Sequence, residues 1–225
     1  MNIARYLDHA VLKPDMTPEQ ARDAIQLGID YHVYSVCVRG CDIDMALEMT
    51  KDTDTLVSCV LDFPYGYSGA AVKRAAAAEY AAKGVHEIDM VMNYGYAKGG
   101  DWAVVEQEIQ GVVEEAHKKG VLVKVIFETS QLTLDEVRKA TRVCIAAGAD
   151  FVKTSTGFNG TGATVEAVQA MLEEAQGRIK VKPSGGIRDY KTAKMYVDMG
   201  AARLGTGFSS CKALCEGGKA EGEGY

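Results

Sequence analysis

Two kinds of apolar pattern alternate along the chain. Short runs with a period of two read as strands, and longer stretches with apolar residues three and four apart read as helices. The strand patterns fall at about 6–10, 33–38, 56–62, 86–92, 121–127, 150–154, 179–183 and 202–206. Helical patterns lie between them, at about 17–27, 42–51, 70–83, 102–119, 133–147, 164–176 and 189–199. A helix-ending glycine followed by a strand recurs at Gly28-Ile29-Asp30, Gly84-Val85-His86, Gly120-Val121-Leu122, Gly148-Ala149-Asp150 and Gly200-Ala201-Ala202. Glycine suits the left-handed position just past a helix. Thr17-Pro18-Glu19-Gln20 and Thr133-Leu134-Asp135-Glu136 read as capping boxes, the first with proline at the opening helical position.

Strands that recur roughly every 23 to 35 residues, with a helix between each pair, have the spacing of βα units in a parallel sheet. Eight units predict a closed (β/α)8 TIM barrel, a single catalytic domain over 1–225. An open doubly wound sheet shares the alternation, but no Gly-x-Gly-x-x-Gly follows the first strand. Only the tail at about 216–225 reads as flexible.

Alternation also sorts the strand side chains. Ile88, Met90 and Met92 share one face of their strand and should meet the helices, which sends Glu87, Asp89 and Val91 inward. By the same logic Val121, Val123, Val125 and Phe127 face out while Lys124, Ile126 and Glu128 face in. Lys153 enters the barrel with Phe151, and Lys180 and Lys182 enter from the next strand. Buried ions without partners are costly, so Asp89, Lys124, Lys153 and Lys182 form either a structural ion-pair network or a reaction centre. Lys153 and Lys182 lie at the C-terminal ends of adjacent strands, where active sites of this fold are built. Two ammonium groups on neighbouring strands repel, so one can lose its proton and attack a carbonyl as an amine. The imine then acidifies the adjacent carbon, and a carboxylate such as Asp89 can move protons. This is class I aldolase chemistry, with no cofactor and no metal.

Composition narrows the partners. With 47% apolar residues in 225, the chain can bury a sizeable core. A net charge of −6 without a basic cluster argues against nucleic acid or an anionic membrane as partner. No apolar run approaches the roughly 20 residues of a membrane span, and the N-terminus lacks a signal-peptide pattern, so a cytoplasmic protein is expected. The six cysteines include no Cys-x-x-Cys pair and the four histidines show no ligand spacing, so neither disulfides nor a metal site is expected.

A phosphate signal stands apart from the lysines. Ser184-Gly185-Gly186-Ile187-Arg188 follows the seventh strand, and Gly205-Thr206-Gly207-Phe208-Ser209-Ser210 follows the eighth and opens a short helix. Glycine loops after these strands are the usual phosphate site of such barrels.

Six segments carry a resemblance. Asp8-His-Ala-Val-Leu-Lys-Pro14, Ser35-Val-Cys-Val38, Glu87-Ile-Asp89, Lys124-Val-Ile-Phe-Glu-Thr129, Ala149-Asp-Phe-Val-Lys-Thr-Ser-Thr-Gly157 and Lys182-Pro-Ser-Gly-Gly-Ile-Arg188 resemble, in order, the signature segments of the deoxyribose-phosphate aldolase family. The resemblance implies that Lys153 forms the Schiff base, that Lys182 favours its neutral form, and that Asp89 relays protons. It also implies reversible cleavage of 2-deoxy-D-ribose 5-phosphate to D-glyceraldehyde 3-phosphate and acetaldehyde. Asp8, Cys37, Lys124, Thr154, Gly157, Gly185, Gly186, Arg188, Gly205, Gly207 and Ser209 are the expected substrate contacts, and a homodimer is the assembly carried forward. Two places depart from the pattern. Gly207-Phe208 precedes the serine pair where many members read Gly-Thr-Ser-Ser, and the terminal Tyr225, which in some members assists proton transfer, ends an acidic tail.

Several residues keep a purely structural alternative. The structural alternatives read Cys37 as an inert thiol, Asp8 and Asp62 as satisfied hydrogen-bond partners, Trp102 as a packing residue on a helix, and Lys13 and Arg39 as solvated. Two functional alternatives stand beside the leading one. One is another Schiff-base barrel, transaldolase-like or acting on a ketose phosphate; the other is a non-catalytic barrel that binds sugar phosphates.

Overall fold

The first helix begins where its capping box requires. In the computed structural model, which describes residues 1–220, Thr17 Oγ1 accepts from Gln20 N at 3.2 Å while the Gln20 side chain accepts from Thr17 N at 2.9 Å. The box opens α1 (Pro18–Asp30), and the matching box at Thr133 and Glu136 opens α6 (Leu134–Ala146). Each satisfies two backbone donors that the helix itself leaves orphaned. The other helices are α2 (Ile43–Thr50), α3 (Ala70–Lys83), α4 (Tyr94–Gly99), α5 (Trp102–His117), α7 (Val165–Ala175), α8 (Tyr190–Asp198) and α9 (Cys211–Cys215). Of these, α4 was not foreseen. It is six residues long, too short for a periodic signal, and starts where the Asn93 side chain accepts from Tyr96 N at 3.1 Å.

Eight strands alternate with these helices: β1 (Leu7–Val11), β2 (Ser35–Val38), β3 (Leu56–Leu61), β4 (Glu87–Val91), β5 (Leu122–Ile126), β6 (Phe151–Lys153), β7 (Lys180–Lys182) and β8 (Leu204–Gly207). All pair in parallel in the order β7-β6-β5-β4-β3-β2-β1-β8. The last seam is closed by backbone bonds from Ala202 N to Val181 O at 3.0 Å and from Gly205 N to Pro183 O at 2.8 Å, with a Ser184–Gly205 bridge above them. The result is the closed (β/α)8 barrel rather than the open sheet.

The helix-ending glycines Gly84, Gly120, Gly148 and Gly200 adopt the left-handed conformation the pattern requires. Gly28 does not. It lies inside α1, where a Cβ would stand 2.9 Å from Val36 Cγ1 and 3.0 Å from the His9 ring, so it is a glycine of close packing. The helix runs on to Asp30, and the left-handed turn falls on His32 instead.

The main core fills the layer between barrel and helices. Val36, Val57, Ile88, Met90, Val123, Val125, Val152, Val181 and Leu204 all meet it from the strands, as period-two alternation requires. Trp102 joins this layer at the start of α5. A smaller apolar cluster of Ala10, Leu12, Cys37 and Val60 lies inside the barrel at its C-terminal end, with Phe63 packed on it. Arg39, expected in solvent, is half-buried. Its side chain donates to Asp42 Oδ2 at 2.6 Å and to the Lys13 and Met16 carbonyls, tying the loops after β1 and β2 together.

Of the expected tail at 216–225, residues 216–220 are described. Glu216 accepts from Tyr31 OH at 2.7 Å, and Ala220 N donates to Arg188 O at 2.9 Å. No helix among the described residues is long and apolar enough to cross a membrane.

Candidate active site

The inward positions of β1, β4, β5, β6 and β7, with Arg203 just before β8, converge on one charged cluster. Asp89 is its centre. Asp89 Oδ1 accepts from Lys124 Nζ at 2.8 Å, and Oδ2 accepts from both Lys153 Nζ at 2.9 Å and Lys182 Nζ at 2.7 Å. Asp8 forms the second node. Its Oδ2 pairs with Lys182 and lies 3.3 Å from Lys124, while its Oδ1 accepts from Ser35 Oγ at 2.7 Å and from Arg203 at 2.8 Å. Below them, Glu87 pairs with Lys124 at 2.5 Å and with Arg203 at 3.0 Å. The strand register explains the meeting, because Asp89 sits opposite Lys124 and Lys153 opposite Lys182.

Every one of these side chains is buried. Among the described residues the cluster holds four cations (Lys124, Lys153, Lys182 and Arg203) and three carboxylates (Asp8, Glu87 and Asp89). Burial alone would raise the carboxyls of Asp8 and Asp89. For Asp89 the charges of Lys124, Lys153 and Lys182 outweigh it and hold the group well below the usual carboxylate range. Asp8 is likewise held low, by Lys124, Lys182 and Arg203 against its burial. Burial would favour neutral Lys124, but Asp8, Asp89 and Glu87 push its ammonium well above the ordinary value.

The lysines are not equivalent. Lys124 touches three carboxylates and Lys182 touches two, whereas Lys153 meets one, Asp89, among the described residues. Lys153 also ends its strand at the C-terminal mouth. Lys180, expected to point inward, is exposed at the opposite end of β7, with its Nζ 5.2 Å from the centre of the Phe151 ring.

Alternation applied to β8 would also have found Arg203, since Leu204 faces the helices; its guanidinium stacks 3.4 Å from the centre of the Tyr34 ring. Glu87 was placed inward but not counted among site residues. Gly205, an expected phosphate contact, has a steric task. A Cβ there would collide with Ser184 Oγ and come within 3.2 Å of Lys182 Cε, so the missing side chain leaves room for that lysine.

The loops behave as connectors as well as rims. Thr154 Oγ1 donates to Ser184 O at 3.0 Å and accepts from Ser184 N at 2.9 Å, joining the segments that follow the two lysines. Gly157, Gly162 and Gly185 meet backbone to backbone at the same seam, where a Cβ on Gly185 would stand 2.9 Å from Gly162 Cα and 3.3 Å from Gly157 Cα. Gly186, Arg188, Gly205, Gly207 and Ser210 line a cleft of about 10 Å³ between the loops after β7 and β8. Ser209 is exposed and lies outside that cleft, because the turn at 208–210 carries Ser210 inward in its place. Across the mouth, a cavity of about 590 Å³ is walled by Leu12, Arg39, Val60, Phe63, Tyr65 and Phe158. Leu12 and Val60 belong to the same apolar cluster as buried Cys37, whose thiol is pushed up by burial and by the Asp89 charge. Tyr225 lies outside the described residues.

Fold and cluster define a class: (β/α)8 barrels that gather lysine amines around a carboxylate at the C-terminal mouth. Comparison with known proteins carries this further. Residues 3–217 match the model of the DeoC/LacD family aldolases. A deoxyribose-phosphate aldolase from Exiguobacterium sp. is 42% identical over 224 residues, covering 99% of this chain and 100% of the relative. That of Caldanaerobacter subterraneus subsp. tengcongensis is 44% identical over 91% of this chain and 89% of its own. Among solved structures, the aldolase QR15 superposes with a TM-score of 0.90 at 36% identity, covering 96% of this chain and 95% of its own. The tetrameric deoxyribose phosphate aldolase of Aeropyrum pernix gives 0.87 at 28%, covering 95% and 89%. The chain belongs to the DeoC/LacD family of aldolases, which are carbon–carbon lyases.

Proposed function

We propose that this aldolase reversibly cleaves 2-deoxy-D-ribose 5-phosphate to D-glyceraldehyde 3-phosphate and acetaldehyde through an imine on Lys153. The observation that carries the assignment is the uneven sharing of carboxylates. The four cations do not share their carboxylates equally. Lys153 has one carboxylate contact against two for Lys182 and three for Lys124, which makes it the least fastened amine of the cluster. It also stands at the C-terminal end of β6, where active sites of this fold are built.

The steps follow from that start. The Lys153 amine adds to C1 of the open-chain sugar, and loss of water leaves a protonated imine. A base removes the proton from the C3 hydroxyl, C3=O forms, and the C2–C3 bond breaks with its electron pair moving into an enamine. Glyceraldehyde 3-phosphate departs. The enamine is protonated at C2, and water releases acetaldehyde and the free amine.

Asp89 and Lys182 supply the proton traffic. A carboxylate flanked by three ammonium groups is a weak base. It takes the C3 hydroxyl proton as the C2–C3 bond breaks, because the imine cation beside it is discharged to a neutral enamine in the same step, and the Lys182 ammonium, 2.7 Å away, is the donor beside it. The phosphate end of the sugar is assigned to the rim of the Gly186, Arg188, Gly207 and Ser210 cleft, whose lining sets one arginine among glycines in the loops after β7 and β8. A cytosolic location accords with the free thiols of all six cysteines.

Borohydride reduction in the presence of acetaldehyde tests the assignment. The expected product is a two-carbon adduct on Lys153, located by peptide mapping. An adduct on another lysine would overturn the residue assignment. No adduct with acetaldehyde, together with a three-carbon adduct from a ketose-phosphate donor, would overturn the substrate.

A further inference from the structure

Glu128 is costly where it stands, and the bonds from Thr156 and the charge of Lys153 offset its burial only in part. It follows β5 with φ at +57°, a left-handed conformation that is strained for a residue with a side chain, and it is fully buried. Burial pushes its carboxyl up. What the side chain does is grip the chain just beyond Lys153. Its Oε1 accepts from Thr156 N at 3.3 Å, and its Oε2 takes the Thr156 hydroxyl. Thr156 Oγ1 in turn accepts from Phe158 N at 3.1 Å. The backbone on either side is zipped to the same segment, by Phe127 N to Lys153 O at 3.0 Å and Thr129 N to Thr154 O at 3.0 Å. The left-handed turn at Glu128 thus sits between two cross-strand bonds, which aims its carboxylate at the turn where β6 leaves the barrel.

We propose that Glu128 is a positioning residue for the reaction: by clamping Thr156 it fixes the turn 154–157, and through that turn the reach of Lys153 Nζ toward the bound carbonyl. This rests on Lys153 being the imine-forming residue. An amine misplaced by an ångström attacks far more slowly, although nothing in its own chemistry has changed. The strained backbone and the buried carboxylate are then two costs of one device.

Single-turnover borohydride trapping with acetaldehyde, run on the full chain, separates rate from amplitude. Glu128→Gln keeps the shape but weakens the grip, and should trap about tenfold more slowly at saturating acetaldehyde. Its final adduct amplitude should be full, and its half-saturating concentration should change by less than about twofold. Thr156→Val removes the gripped hydroxyl from the other side and should slow trapping similarly, and the double variant should be little slower than either single one, because both cut one clamp. Glu128→Gly relaxes the backbone while removing the clamp, so it should remain folded and slow. A purely structural role would instead lower the adduct amplitude and leave the rate of the folded fraction at the wild-type value, which would overturn the proposal. So would wild-type trapping rates in Glu128→Gly or Thr156→Val, the latter being informative even if Glu128 tolerates no replacement. Absence of any Lys153 adduct in the wild type would overturn the imine assignment, and this proposal with it.

Discussion

Lys182 and Lys153 are both lysines at strand ends, yet one is fastened by two carboxylates and the other by one. Replacing Lys182 with leucine would remove an ammonium that repels a charged Lys153, and would leave Asp8 and Asp89 with fewer cations. The neutral amine is then harder to form. Turnover should fall at least about 10²-fold, and the acid limb of the rate against pH should move to higher pH, so that the wild type works further into the acid range. Equal acid limbs in the two proteins would remove the electrostatic coupling. At this scale period-two alternation did much of the reading, since it placed Asp89, Lys124, Lys153 and Lys182 inside, and it reaches Arg203 once Leu204 is taken as outward. Alternation stops at the strand end, however. The turns that bring Ser210 rather than Ser209 into the cleft, and that aim Glu128 at Thr156, are set by loop dihedrals with no periodic trace.

The joint between α1 and β1 shows how elements are locked together. His9 is fully buried on the helix-facing side of β1, its Nε2 2.8 Å from Ala24 O of α1, and Gly28 packs against its ring. Burial pushes its imidazole down to about 4. An imidazole held below its unfolded value contributes stability that is fully present above the unfolded pKa near 6.5 and fades as the pH falls toward 4, because there the unfolded chain takes up a proton that the folded chain refuses. Denaturant unfolding should therefore show the wild type losing about 2 kcal/mol more than His9→Gln between pH 7 and pH 5. Identical pH dependence in both would mean that His9 is not held neutral. Gly28 was read as a helix stop because its spacing mimics one. The residue is explained only by a contact with β1 and β2, which local sequence cannot reveal. In contrast, the boxes at Thr17 and Thr133 are local chemistry, and they marked their helix starts correctly.

For the whole molecule, eight repeated βα units were enough to indicate the barrel, because each unit carries its own stop and start signals. Less legible was how the ring closes. β7 has three residues, and the seam to β8 depends on Gly205 lacking a side chain, a requirement visible only with Lys182 and Ser184 in place. That seam has a consequence for how such an enzyme can change. One half of the mouth holds a seam where Gly157, Gly162 and Gly185 touch through bare backbone, which leaves no room there for a side chain. The other half is a wall of ordinary side chains at Leu12, Val60, Phe63 and Phe158. Random libraries at those four positions should yield many folded enzymes with altered aldehyde preference, whereas libraries at the three glycines should yield mostly insoluble chains, a difference that a split-reporter solubility screen would count. Divergence toward new substrates in this lineage would then be lopsided, drifting on one lip of the barrel and frozen on the other.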